Sequence, residues 1–298
     1  MTREEINQSK YFDPFTRMIG LEVEELRQDG LTAKARLKRE FCNTYSSAHG
    51  GYVYSVGHAA AVLSAGLCLD RRAMAVDVSN EYESSLLGPY ARIRTKLVSA
   101  GELMVFRVRV LDSKGKLCLT QIVTLKDADL PVNSPAEYPV TIIHGDDNSP
   151  VDPVTGIYYP RLSVFFSAVC HTHVLGRGEK GMIYGADLFP ETVDAFGAAH
   201  PGMIYTVCDS AAGGSAAFLL EKKPVTVSSS IHYLRSITQG PVRAETKLVR
   251  SGKQLLFYTM DITDGSGELA AVAQFVMQCV DYEITNEMSA EYRRKAFK

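Results

Sequence analysis

The 298-residue chain has no tryptophan and only six cysteines, at 42, 68, 118, 170, 208 and 279, with no Cys-x-x-Cys pair. That scatter argues against a disulfide framework or a zinc site and suits reduced thiols, so a cytoplasmic location is expected. Net charge is nearly absent, at −2, which gives no reason to expect nucleic acid as a partner. The first residues, MTREEINQSKYFDPF, contain no apolar core of a signal peptide. Apolar runs are too short or too interrupted for a membrane span, so no membrane is expected.

What the chain does have is an apolar fraction of 46% with 22% charged residues, enough for a substantial core. It also has one distinctive stretch. Asn43 to Leu69 reads NTYSSAHGGYVYSVGHAAAVLSAGLCL. A helix apolar on all sides is a buried helix. His49-Gly50-Gly51 stands where that helix should begin. Helix amino ends carry free N–H groups and partial positive charge, and glycine lets a ligand approach the backbone closely. The stretch therefore proposes a helix whose amino end polarises something negative, such as a developing oxyanion.

The stretch occurs twice. Asp194 to Leu220 reads DAFGAAHPGMIYTVCDSAAGGSAAFLL, and His200-Pro201-Gly202 follows His49-Gly50-Gly51 at an offset of 151 (200 − 49). Asp194 follows Asn43, and Asp209 follows His58, at the same offset. A repeat of this kind means two copies of one unit. The boundaries read as an N-terminal unit over 1–126, a proline-rich linker over 127–160, and a C-terminal unit over 161–298 that ends in a charged tail, expected as an exposed helix. Residues 1–20 are expected to pack over the first unit.

Each copy reads as a hairpin, a buried helix and a run of antiparallel strands. Leu21 to Leu37 alternates apolar and charged residues around Gln28-Asp29-Gly30, a hairpin pattern. After the helix come strands near 74–82, 91–99, 103–111 and 117–126. The second copy has a strand near 181–188, a helix over about 202–220, then strands near 225–234, 242–250, 254–263 and 269–280. Residues 162–174 are apolar without a clear period. The fold class expected is α+β, with two antiparallel sheets, each covered by one long helix.

This pattern resembles the hotdog fold. Asn, six residues to His-Gly-Gly, and nine from that His to an acid on the helix is similar to the PaaI-like acyl-CoA thioesterases. The resemblance covers roughly 12–126 and 161–280, as a double hotdog related by a pseudo-twofold. It implies composite sites, each taking Asn and His-Gly from one unit and an Asp with a neighbouring Ser or Thr from the other. Carried over by position, one site holds Asn43, His49, Gly50, Asp209 and Thr226. The other holds Asp194, His200, Pro201, His58 and Ala75. Proline has no N–H to offer an oxyanion, and His58 replaces the acid, so this second site is expected to be degenerate.

The resemblance further implies that the Gly50 N–H binds the oxyanion, and that Asp209 is general base or nucleophile, two roles the sequence leaves open. It implies that Thr226 positions water, that Asn43 orients water or carbonyl, and that His49 braces the loop. Gly51, Tyr52, Tyr54, Met203 and Tyr205 are expected to line the substrate tunnel between the helices. The partner implied is acyl-CoA, with coenzyme A as part of the substrate and no other cofactor, in a homo-oligomer, a dimer of double hotdogs being favoured. Two competing functions are an acyl-CoA hydratase or dehydratase, whose different helix-entry motif is not found, and a non-catalytic acyl-CoA binder.

Other motifs read as structure. His171 and His173 lack nearby acids or thiols at ligand spacing, so no metal is expected. Gly176, Gly178 and Gly181 spell GxGxxG, but a strand follows rather than a helix, so the dinucleotide context fails. His58, Cys42 and Cys208 read as core residues. Asp146-Asp147-Asn148 reads as a solvated turn. The arginines at 92, 94, 107, 109, 235, 243 and 250 read as a solvated strand face from which a few could meet the phosphates of coenzyme A.

Overall fold

A computed structural model describes residues 2–43, 45, 47–128, 166–220 and 224–280. The expectations for the linker, the acidic turn at 146–148 and the tail helix lie mostly or wholly outside these residues.

Alternating burial builds the strands of the first unit. They are β1 (Leu21–Arg27), β2 (Gly30–Arg36), β3 (Ala73–Tyr82), β4 (Tyr90–Ala100), β5 (Leu103–Leu111) and β6 (Leu117–Asp127). In β5 the residues Met104, Phe106, Val108 and Val110 are fully buried while Arg107 and Arg109 face out, the period-two signature of a half-buried strand. The second unit supplies β7 (Thr172–Arg177), β8 (Met182–Ala186), β9 (Pro224–Tyr233), β10 (Val242–Ser251), β11 (Leu255–Thr263) and β12 (Leu269–Cys279). Gly176 and Gly178 fall on and just after β7, and the Gly178 N–H bonds to Gly181 O at 2.8 Å, so the GxGxxG segment is a hairpin.

Among the described residues the strands are accompanied by the α-helices α1 (Arg3–Asn7), α2 (Pro14–Met18), α3 (Gly50–Leu69), α4 (Phe166–Val169) and α5 (Pro201–Gly214). Helix α3 ends at Asp70, whose φ of 52° is left-handed, a common stop. Helix α5 passes into a π turn over Ser215–Leu219, so the second long helix is shorter in α form than its pattern predicts. At 20 residues α3 is long and apolar enough to cross a membrane, against expectation, yet 78% of its apolar window is buried inside the molecule. It is the core helix of its unit.

One correction concerns the sheet. In place of two sheets the described residues form one antiparallel sheet of twelve strands, in the order β1-β2-β4-β5-β6-β3-β9-β12-β11-β10-β8-β7. The units join where β3 pairs with β9, Asp77 opposite His232, Ser79 opposite Ser230 and Glu81 opposite Ser228. Unpaired, β3 and β9 would each expose a row of free N–H and C=O groups. Pairing them satisfies both edges at once, which no period in the sequence reveals.

The duplication is visible in side-chain bonds. Ser64 in α3 meets Thr95 Oγ1 in β4 at 2.7 Å, and Ser215 meets Thr246 Oγ1 in β10 at 2.7 Å. Both pairs are buried and both offsets are 151 (215 − 64; 246 − 95).

The pseudo-twofold axis is marked by residues that meet their own repeats. Ser79 pairs with Ser230 in the seam. The Tyr54 and Tyr205 rings stack with centroids 3.8 Å apart and an interplanar angle of 3°. Phe15 and Phe166 meet edge-on at 6.4 Å. Each pair is separated by 151 (230 − 79; 205 − 54; 166 − 15). About this axis the amino-terminal turns of α3 and α5 run antiparallel. A Cβ on Gly51 would strike Thr206, and one on Gly202 would strike Ser55. Glycine at these two positions lets the helices touch, so Gly51 serves packing.

Candidate active site

Both helices begin the same way. His49 caps α3, its Nδ1 accepting the Gly51 N–H at 3.0 Å, and His200 caps α5, its Nδ1 accepting the Gly202 N–H at 2.9 Å. An N-cap side chain satisfies one of the orphan donors of the first turn. The bond also assigns the tautomer, with the ring proton on Nε2. Burial lowers the pKa of both histidines, His200 to about 3. His49 Nδ1 lies 3.4 Å from Asp209 Oδ2 and His200 Nε2 lies 3.6 Å from Asp13 Oδ2. Neither approach is an ion pair, since both rings are neutral and the Nδ1 lone pair of His49 is already used. His49 thus fixes the first turn of α3 through the Gly51 N–H.

The loops before the helices are matched as well. Asn43 Oδ1 accepts the N–H groups of Tyr45 (2.9 Å) and Ser47 (3.3 Å), and its Nδ2 donates to Ser47 Oγ at 3.0 Å. Asp194 Oδ1 accepts from Phe196 and Ala198 at 2.9 and 3.0 Å. These are Asx turns. Among the described residues the side-chain hydrogen bonds of Asn43 go to Tyr45 and Ser47 of its own loop.

At the amino end of α3 the structure does gather Gly50, His49, Asp209 and Thr226. Asp209 Oδ1 accepts the Thr226 hydroxyl at 2.6 Å, and a Cβ on Gly50 would come within 2.7 Å of Asp209 Oδ2. The Gly50 N–H has no acceptor among the described residues, which leaves it as a donor at the positive end of a buried helix. The Asp209 carboxylate thus lies close beside Gly50 at the start of α3. Thr226 commits its proton to Asp209, so it orients the carboxylate and has only lone pairs for a water.

The opposite end differs at every one of these points. Pro201 occupies the first helical position, where proline is well tolerated but has no N–H. Ala75 stands where Thr226 would be (226 − 151 = 75). Both ring nitrogens of His58 are buried without a hydrogen-bond partner among the described residues, its pKa is driven well below the usual value by burial, and its ring lies edge-on to His200 at 5.5 Å.

Residues 1–20, expected over the first unit, also reach this second end. Phe15 stacks on His200 with centroids 4.1 Å apart, and Asp13, the N-cap of α2, lies beside the same ring. The repeat-equivalent Phe166 stands farther from His49, at 6.2 Å and tilted. Burial pushes Asp13 up to about 6 and Asp194 up to about 7. A carboxyl raised above its unfolded value costs no stability below that value, 3.8 for Asp13. The cost grows as pH rises and is complete above the folded pKa. Asp13→Asn keeps the cap for Thr16 and removes the charge. Its gain in unfolding free energy should be near zero at about pH 4 and roughly 3 kcal/mol at about pH 8. Urea unfolding at both pH values checks this, and a gain independent of pH would contradict it.

Sequence reasoning missed two tyrosines. Tyr82, at the end of β3, donates to Gly50 O at 2.9 Å and lies 3.0 Å from the Tyr205 hydroxyl, which meets Ser229 Oγ at 2.7 Å. Tyr233, its repeat, donates to Pro201 O at 3.2 Å and meets the Tyr54 hydroxyl at 2.8 Å. The shared offset (233 − 82 = 151) was the available signal. Stacking contributes about 0.5–1.5 kcal/mol beyond burial, and stranding a buried hydroxyl costs about 1–3 kcal/mol, so this cluster is rigid. Tyr52 turns the other way, its hydroxyl donating to Arg36 O at 3.2 Å and its ring stacking on Phe41. Met203 is fully buried.

His171 pairs with Glu191 at 3.0 Å, and among the described residues no group of three His, Cys, Asp or Glu could hold a metal. Cys42 and Cys208 are buried, with thiol pKa values raised by burial.

Solved structures share this architecture. A hot-dog-fold protein of Alicyclobacillus acidocaldarius is 12% identical, covering 93% of this chain and all of that one, with a TM-score of 0.61. This chain has a hotdog fold. The tesB protein of Mycobacterium avium subsp. paratuberculosis (12% identical, 87% of this chain and 96% of that one, TM-score 0.57) has a similar fold. So does the acyl-CoA thioesterase II TesB2 of Mycobacterium marinum (12%, 95% and 100%, 0.54). Residues 196–271 of this hotdog chain match the family model of the thioesterase superfamily, a span that contains His200 and all of α5 with Asp209. No curated protein matches the chain.

Proposed function

We propose that the chain is an acyl-CoA thioesterase, a PaaI-like double hotdog with one working site, built from Asn43, His49 and Gly50 of one unit and Asp209 and Thr226 of the other. The observation that carries this reading is the asymmetry between the two helix ends. Gly50 lies close beside the Asp209 carboxylate at one, and Pro201 with His58 stands at the other. Hydrolysis of a thioester needs a donor for the oxyanion and a group to take a proton from water.

In this mechanism the thioester carbonyl points at the amino end of α3, and its oxygen receives the Gly50 N–H as negative charge develops. Asp209, fixed by Thr226, takes a proton from the attacking water. The tetrahedral intermediate then expels the thiolate, which recovers that proton. Attack by Asp209 itself would pass through an anhydride that water opens, and both routes end in free acid and free coenzyme A. His49 holds Gly51 and keeps the first turn in register.

The test is thiol release from acyl-CoAs by the wild-type protein and by Pro201→Gly. Turnover is expected in both at similar rates. Hydration of an enoyl-CoA without thiol release would replace the reading with a hydratase. The lost donor and acid at the second end favour one other reading, a binder that kept the fold after losing chemistry. Acyl-CoA binding without turnover would select it.

A further inference from the structure

We infer that the working site accepts only short acyl groups, because the space between the two helices is closed by a tyrosine wall on the pseudo-twofold axis. This rests on the thioesterase reading and names its substrate class.

The resemblance implies a substrate tunnel between α3 and α5. The structure fills that space. Tyr54 and Tyr205 are fully buried, lie parallel at 3.8 Å, and are tied to the seam strands through Tyr233 and Tyr82. Outward along the same axis the seam itself closes β3 on β9. Phe15 and Phe166 meet on the axis too, both buried. Buried rings therefore occupy the axis between the two ends of the helix pair.

The wall stands against the reacting atoms. Tyr82 bonds to the carbonyl of Gly50, whose N–H is the proposed oxyanion donor, and Tyr205 is next to Tyr82. On the other flank Phe166 packs edge-on against Tyr52 at 5.5 Å and Phe41 at 5.6 Å. A thioester seated at Gly50 has two limbs. The coenzyme A limb is long and charged and must run to solvent, so the acyl limb is the one that faces the wall. An acyl chain that reaches past it would have to separate a ring stack and strand the hydroxyls tied to it. Excluding one methylene from an apolar pocket commonly changes kcat/KM by tenfold or more.

The experiment is a chain-length series on the wild-type protein, with acetyl-, butanoyl-, octanoyl- and hexadecanoyl-CoA, read as kcat/KM for thiol release. A fall of at least about tenfold between butanoyl- and octanoyl-CoA is expected. Equal or faster turnover of the long chains would overturn the wall while leaving the thioesterase reading intact. Release of thiol from none of them would remove the reading and the inference together. Tyr54→Ala, which opens the wall from the helix that does not carry Asp209, should raise the octanoyl to butanoyl ratio, and an unchanged ratio in the folded variant would also overturn the proposal. The wild-type series decides the matter even if that variant does not fold.

Discussion

Asp209→Asn is expected to lose about 10²- to 10⁴-fold in kcat for acyl-CoA hydrolysis, the range that removal of a positioned acid–base group produces. The substitution is close to isosteric. The Asn side-chain carbonyl can still accept the Thr226 hydroxyl, now at 2.6 Å from Asp209 Oδ1, so the strand–helix contact survives. What disappears is the ability to take a proton from water or to attack the carbonyl. Steady-state kinetics alongside thermal unfolding separates the two effects. A large rate loss with a small change in melting temperature is the expected pair, and a rate within about threefold of wild type would remove Asp209 from the mechanism.

The second large effect is at Gly50, where two substitutions divide one question. Gly50→Ala keeps the N–H and adds a Cβ that would lie 2.7 Å from Asp209 Oδ2, so it displaces the carboxylate. Gly50→Pro adds the same Cβ, and its remaining ring carbons take the place of the N–H. The chain itself shows that proline fits this position, since Pro201 opens α5 with the same His cap. The ratio of the two variants therefore reports on the N–H. Gly50→Pro should be about 10²- to 10³-fold slower than Gly50→Ala, as for loss of one oxyanion donor. Equal rates in two folded variants would show that the oxyanion is stabilised elsewhere.

Local signals in the sequence account for most of the elements. The alternation in 21–36 and 103–110 is the hairpin and β5 as observed, and the apolar run after His49 is α3. The 151-residue offset pairs His49 with His200, and both cap their helices in the same way. Burial pattern and capping are local, which is why they can be read from spacing. The union of the two sheets was not legible, because β3 pairing with β9 depends on two edges meeting across a distance that no period encodes. The reach of Phe15 and Asp13 to His200 was hidden for the same reason. At the site, the resemblance pointed to Asp209, Thr226 and Gly50, and these do lie together. Asn43 closes its own loop, as Asp194 does in the second copy, a role that any residue with an Asx-turn acceptor can fill. Tyr54 and Tyr205 were expected to line a tunnel. A sequence cannot show that two tyrosines separated by the repeat length will stack on each other.

The central claim is that one of the two helix ends works and the other does not. Thiol release measured in parallel for the wild type, Asp209→Asn and His58→Ala tests it most directly. The account predicts loss of turnover in Asp209→Asn and a rate close to wild type in His58→Ala. Loss in His58→Ala with survival of Asp209→Asn, in proteins that both remain folded, would contradict it and place the chemistry at the Pro201 end.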